Sequence, residues 1–280
     1  MNTKESIKWY KAPLFFLVSI WKERTRITYM VKADIKNQYI QSYMGIFWAF
    51  FKPVLMTVVI SVVFSLGLRG AGRVVSGDQP FIVYFLAGYV SWIFFSGMIT
   101  ASVTSISSYG FLIKKVDFPL FILPVVKMGS LFFVHLALVS VLLFTIYLNG
   151  VQMHWYWIQI FYYMFCAIIF LIGLSWTLAS ATIFIPDLNQ AVPVIIQLMF
   201  WTTPIFWELS RFPDWAKIII KMNPAYYIVS GYRDSLIYQT GFWEHTYLSL
   251  YFWTITVVFL FIGAITYRNT RPHFAEVVDS

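Results

Sequence analysis

Charge is the first thing this sequence lacks. Of its 280 residues only 11% are charged, where ordinary soluble domains carry about 25%. The deficit is also uneven, with no Asp, Glu, Lys or Arg in residues 79–113, 128–186 or 245–267. A water-soluble fold cannot leave 59 consecutive residues uncharged and still build a polar surface. A soluble enzyme, a nucleic-acid-binding domain and a disordered chain are therefore excluded. Cysteine is nearly absent as well. Cys166 stands alone in an apolar run, so no intrachain disulfide forms and the thiol reads as a small buried hydrophobe.

Other absences bear on chemistry. There is no Gly-x-x-x-x-Gly-Lys-Ser/Thr loop; Gly67, Gly70, Gly72 and Gly77 cluster without the lysine and read as a turn, so no ATP or other cofactor site is expected on this chain. His135, His154, His245 and His273 are scattered without metal-ligand spacing, and His135 reads as a helix-packing residue. No acidic residue falls in any apolar span, so a buried proton relay is not expected and the energy for any transport must come from a partner. Gly173-Leu174-Ser175 has no base on hand for a serine nucleophile; Gly173, Thr177 and Ala181, four residues apart, read instead as a packing seam. A cleavable signal peptide is not expected either: the apolar stretch Leu14–Trp21 runs only eight residues into Lys22-Glu23-Arg24.

What the sequence does have is apolar length. A helix needs about 20 residues to cross a ~30 Å hydrocarbon core, and the runs are continuous rather than alternating, which disfavours strands. The expected fold is an all-α polytopic membrane protein with six transmembrane helices at about 46–68, 81–102, 128–148, 157–185, 191–207 and 247–267. Residues 1–43 form cytoplasmic interfacial helices, 44–268 the transmembrane domain and 269–280 a tail. Pro213-Asp214-Trp215 and Asn223-Pro224-Ala225 each read as a helix start. The segment between spans five and six is thus expected to hold two short helices dipping into the outer leaflet. Lys and Arg number twelve on the side of the termini against six opposite, which places both termini in the cytoplasm.

Two clusters invite a functional reading beside a plainer one. Trp9, Tyr10, Leu14, Phe15, Val18 and Trp21 share a helical face bracketed by basic residues, as in an interfacial helix. Arg24, Arg26, Lys32 and Lys36 either attract anionic lipid or form a basic cytoplasmic entrance for a phosphate-bearing substrate. The aromatics within spans, among them Trp48, Phe51, Tyr84, Tyr89 and Trp92, either meet lipid and the interface or line a conduit whose faces stack on sugar rings. The partly charged stretch 106–124 is either a plain connection or a handle for a cytoplasmic partner.

Several motifs together carry a resemblance. They are Gly45-Ile46-Phe47-Trp48 with Pro53, Lys114-Lys115-Val116-Asp117-Phe118-Pro119, Pro186-Asp187, Thr203-Pro204-Ile205-Phe206-Trp207, and Asn223-Pro224-Ala225-Tyr226-Tyr227 with Gly231-Tyr232-Arg233. Over about residues 7–270 the chain resembles the membrane-spanning subunit of type-2 ABC exporters for polysaccharides, and is most similar to the teichoic acid export permeases of Gram-positive bacteria. It departs from them at Pro186, where arginine is frequent, and at Lys127. The resemblance implies a permease of the bacterial plasma membrane that is not an enzyme on its own. It further implies a homodimer joined to two copies of an ATP-binding cassette subunit, which holds ATP and Mg. Lys114, Lys115, Val116, Asp117 and Phe118 would couple to that subunit. A polymer on undecaprenyl diphosphate would cross from inner to outer leaflet, leaving past Asn223, Pro224, Tyr226, Tyr227 and Arg233. Two alternatives remain: a type-2 ABC exporter of a small drug or lipid, and an integral membrane glycosyl- or acyltransferase. Membrane lipids are expected contacts and nucleic acid is not.

Overall fold

A computed structural model describes residues 12–39, 43–45, 47–63, 80–110 and 118–274, and every regular element among them is helical. In chain order these are α1 (Ala12–Lys22), α2 (Arg24–Tyr39), α3 (Phe47–Val62), α4 (Phe81–Thr104), α5 (Ile122–Leu148), α6 (Gln159–Phe184), α7 (Leu188–Thr202), α8 (Asp214–Lys221), α9 (Pro224–Arg233) and α10 (Thr246–Thr270). Backbone groups satisfied within each helix are the arrangement an apolar solvent demands.

Proline sets several boundaries. Extended Pro80 precedes α4. α5 starts at Ile122, six residues ahead of the expected span, because Pro124 falls in its first turn, where a missing N–H costs nothing. Its 27 residues reach about 40 Å at ~1.5 Å per residue, more than a bilayer core needs. α6 stops before Pro186. α9 runs straight into a π-helical turn, Asp234–Tyr238, closed by Gln239 in the left-handed region at φ 54°.

Four stretches among the described residues are long and apolar enough to cross a membrane: Phe81–Thr104, Ile122–Leu148, Trp155–Phe184 and Phe242–His273. α3 and α7, with 16 and 15 residues, are shorter, about 24 and 22 Å long, and Phe51–Ile60 of α3 is apolar throughout most of its length.

α4 is the centre of the bundle, packed on α5, α6, α7 and α9. The most extensive helix pair is α6 with α10, and glycine makes it possible. A Cβ on Gly173 would lie 2.6 Å from the Leu260 nitrogen, and one on Gly263 would lie 2.2 Å from the Gly173 oxygen. The two backbones therefore touch, as small residues allow in membrane helix pairs. Gly173 of the expected seam is thus the residue in contact with α10, while Thr177 and Ala181 are half-buried. One turn further along the same pair, Phe16 of α1 sits 5.5 Å from the ring of Trp176 and 5.4 Å from that of Tyr267. Its neighbours Leu14, Phe15, Val18 and Trp21 stay exposed, an apolar face suited to a membrane surface.

The bundle so built has two ends. One carries α1, α2, the start of α5 and the last turns of α4, α6 and α10. The other carries α8, α9, the start of α4 and the first turns of α6 and α10.

Candidate functional site

The α9 end is organised by a short sequence motif. Asn223 caps α9, accepting from the Ala225 N–H at 3.0 Å, while its amide donates to Thr203 Oγ1 at 3.0 Å. Pro224 occupies the first helical position, where its fixed φ is already helical. The cap therefore also ties α9 to the segment that follows α7. One face of α9 then carries Tyr227, whose hydroxyl joins Tyr162 at 3.0 Å and Ser249 at 2.9 Å. This links α9 to both α6 and α10.

Arg233, at the end of α9, is 4% exposed. Its guanidinium donates to the carbonyls of Tyr84 at 3.2 Å, Ile205 at 2.6 Å and Pro204. It also lies over the Tyr84 ring, 3.6 Å from the centroid. Burial lowers its pKa, yet an arginine starting above 12 stays charged. Three carbonyls and an aromatic face replace water around that charge. Gly88 makes the room, since a Cβ there would fall 2.4 Å from Arg233 Nη2. The sequence motif marks Arg233; the carbonyls it serves are backbone atoms that no motif encodes.

Beside Arg233 lies a cavity of about 200 Å³. Tyr84, Tyr226, Ser230 and Tyr238 line it on the helical side, and Pro204, Glu208, Leu209 and Ser210 on the other. Burial raises the pKa of Tyr226 and, more strongly, of Tyr238, so both phenols keep their protons. Just behind, burial pushes Asp234 up to about 7, with His245 Nε2 3.5 Å from its carboxylate. Of the five residues expected at the outer exit, Tyr226 and Arg233 line this cavity. Asn223, Pro224 and Tyr227 hold the frame around it.

The expected conduit aromatics do not form one wall within this chain. Trp48 and Phe51 stand exposed on α3, 5.6 Å apart and joined by Phe47. Tyr84 and Trp92 are buried, the latter between Phe95 and Phe200, and Tyr89 is half-buried against Phe85.

At the other end, Arg24, Lys32 and Lys36 lie exposed on one side of α2. Arg26 faces the opposite way, paired with Glu23 at 3.1 Å and set over the ring of Phe118. Lys114, Lys115, Val116 and Asp117 lie outside the described residues. The feature that sequence reading passed over is here. Lys127 pairs with Asp34, which also accepts from the Tyr109 hydroxyl at 3.2 Å. This cluster pins α2 to the start of α5 and to the turn that follows α4, and Val31 against Gly129 closes the same contact. The available signal was complementary: Asp34 is the one carboxylate in α2 and Lys127 is the one charged side chain in α5. Asp34→Ala leaves Lys127 without its partner in a half-buried place, at about 2–3 kcal/mol. We expect α2 to become protease-sensitive in limited digestion of the reconstituted protein, and Asp34→Ala with Lys127→Leu to restore protection.

Among the described residues no three His, Cys, Asp or Glu side chains approach closely enough to hold a metal. The model of the ABC-2 type transporter family matches residues 25–237, from the first turn of α2 to the π-turn after Arg233. The chain belongs to the ABC-2 type transporter family. As a member it is a multi-pass membrane permease. Both of its polar clusters, Asp34–Lys127 and the Arg233 network, fall inside the matched region. Relatives of this ABC-2 permease include the O-antigen export system permease protein RfbA of Klebsiella pneumoniae. That protein is 26% identical over 247 residues, covering 88% of this chain and 92% of the relative. A protein of the same name from Myxococcus xanthus is 24% identical over 268 residues, covering 92% and 97%.

Proposed function

We propose that this chain is the membrane subunit of an ATP-driven exporter that moves a lipid-diphosphate-linked polysaccharide from the inner to the outer leaflet of the bacterial plasma membrane. The observation that carries the reading is the near end-to-end match to permeases named for O-antigen export, which spans 97% of the Myxococcus protein. In this reading α3 and α7 complete six crossings with the four longer helices, both termini are cytoplasmic, and α8 and α9 are short helices in the outer leaflet. The basic side of α2 supports the orientation. The chain works as a homodimer with two copies of an ATP-binding subunit that carries ATP and Mg. The connection holding Lys114, Lys115, Val116, Asp117 and Phe118 receives the stroke, and Arg24, Lys32 and Lys36 draw the lipid diphosphate to the entrance. Wall teichoic acid is the second reading of the cargo, favoured by the Lys114–Pro119 and Asn223–Tyr227 motifs.

The test is genetic and chemical. Removing the gene is expected to strip one polymer from the cell surface while its lipid-linked form accumulates inside, and sugar and phosphate analysis of that material names the cargo. Unchanged surface polymer together with lost export of a small drug or lipid would overturn the proposal. Lys114→Glu with Lys115→Glu is expected to abolish stimulation of the partner ATPase in the reconstituted complex. Intact stimulation would move the coupling surface elsewhere.

A further inference from the structure

We propose that the cavity beside Arg233 is a subsite for a single neutral pyranose ring of the transported polymer, an inference that deepens and rests on the reading of the chain as a polysaccharide permease. Size comes first. About 200 Å³ is the room of six or seven waters at ~30 Å³ each. It falls below the ~300–1,000 Å³ of pockets for drug-sized ligands, and because the cavity is open on one side, one ring can sit inside while its neighbours along a polymer stay outside.

Charge narrows the class. Two charged side chains line the cavity, Arg233 and Glu208. The guanidinium is already committed to three carbonyls and the Tyr84 ring. Glu208 is held at the rim by Ser210, whose hydroxyl donates to Oε2 at 3.1 Å. A phosphate or uronate would meet the Glu208 carboxylate and find three of the five guanidinium N–H donors already given to carbonyls. A neutral ring meets neither penalty.

The remaining groups suit a carbohydrate. A sugar presents hydroxyls that both donate and accept, around a face of C–H bonds. Glu208 supplies acceptors, Ser210 can accept while its own proton is given to Glu208, and Ser230 can give or take a proton in a hydrogen bond. Tyr84 is not available for stacking, because the guanidinium covers its ring and its hydroxyl donates to the Trp207 carbonyl at 2.8 Å. Tyr226 and the partly exposed Tyr238 are left to offer their rings to the sugar. Because Arg233 bonds α4, α9 and the segment after α7 together, the walls are preorganised and little ordering opposes a weak ligand.

Saturation-transfer NMR on the full-length permease in lipid nanodiscs tests this. The probes are the methyl glycosides of glucose, mannose, galactose and rhamnose, with glycerol and glucose 6-phosphate as controls. Transfer to at least one neutral glycoside and to neither control is expected. Ser230→Leu intrudes from the helical wall and Ser210→Trp covers the exposed rim without entering the core; each should cut transfer at least fivefold. No transfer to any glycoside, or equal transfer in the rim variant, overturns the subsite. Competition by a soluble oligosaccharide supports the polymer as source, whereas competition only by a glycosyl-diacylglycerol in the bilayer overturns it in favour of a membrane glycolipid. Cells distinguish the permease function from the subsite. Gene removal that leaves surface polymer unchanged defeats the permease reading. Gene removal that strips the polymer, with Ser210→Trp exporting at the normal rate, defeats the subsite alone.

Discussion

Gly263→Ala should lose most of the folded protein, although it adds a single methyl group. The new Cβ would sit 2.2 Å from the Gly173 carbonyl oxygen and 3.1 Å from Trp176 Cβ. The first of these is backbone, so no rotamer change relieves the clash. α6 and α10 must part by an ångström or more, and every contact along the largest helix pair in the molecule loosens with them. Overpacking of a tight core costs about 1–3 kcal/mol and sometimes more, and this site is at the upper end. Gly173→Ala repeats the fault from the other side, with its Cβ 2.6 Å from the Leu260 nitrogen. The control is built in. A Cβ on Gly97 meets only the Leu131 methyls at 3.9 Å, an ordinary contact, so Gly97→Ala should hold or gain up to ~1 kcal/mol from helix propensity. Thermal unfolding followed by size-exclusion fluorescence reads all three. An equal fall in Gly97→Ala and Gly263→Ala would mean that the close crossing is not what α6 and α10 depend on.

Arg233→Met is the second large effect. It keeps much of the side-chain length and removes the donors, leaving the carbonyls of Pro204 and Ile205 without the bonds they now receive. Hydrogen bonds to a charged group are worth about 1.5–3 kcal/mol each, and an unsatisfied buried carbonyl costs a further share. We expect a loss of about 3–5 kcal/mol, or a melting temperature lower by roughly 10 °C. Arg233→Lys should recover little, because one ammonium cannot reproduce the fork that reaches three acceptors. Gly88→Leu attacks the same arrangement from α4. If the network acts as a unit, the double variant falls hardly further than either single one. Additive losses would instead mean that Gly88 and Arg233 serve separate contacts.

Much of the helical framework was legible. The run from Phe81 and the run ending before Pro186 were bounded within about two residues, because Pro80 and Pro186 punctuate them and membrane helices carry continuous apolar runs. The starts at Asp214 and Pro224 were visible for the same reason. The early start of α5 was not, since Pro119 and Pro124 suggest a break, while Pro124 in fact sits in the first turn. At the candidate site, the Asn223-Pro224 cap and Arg233 could be picked from sequence. What they bind could not: the acceptors are main-chain oxygens of a loop 28 and 29 residues away and of a helix 149 residues away. The same holds for Gly173 and Gly263, whose value lies in which backbone comes near. Lys127 stood out as a departure from the resembled family, but nothing local announces its pairing with Asp34, 93 residues away.

The central place of α4 has a consequence for how the chain is made. It is the least apolar of the four long spans and the most enclosed, yet α5, α6 and α9 that enclose it all follow it in sequence. At ~5–20 residues per second, the 149 residues between Tyr84 and Arg233 take roughly 7–30 s to synthesise. During that interval α4 stands in the bilayer or the insertion machinery with its serines and close-packing faces open. A nascent chain halted before Arg233 should therefore be a preferred substrate for membrane proteases, and release from them should come abruptly once α9 has docked.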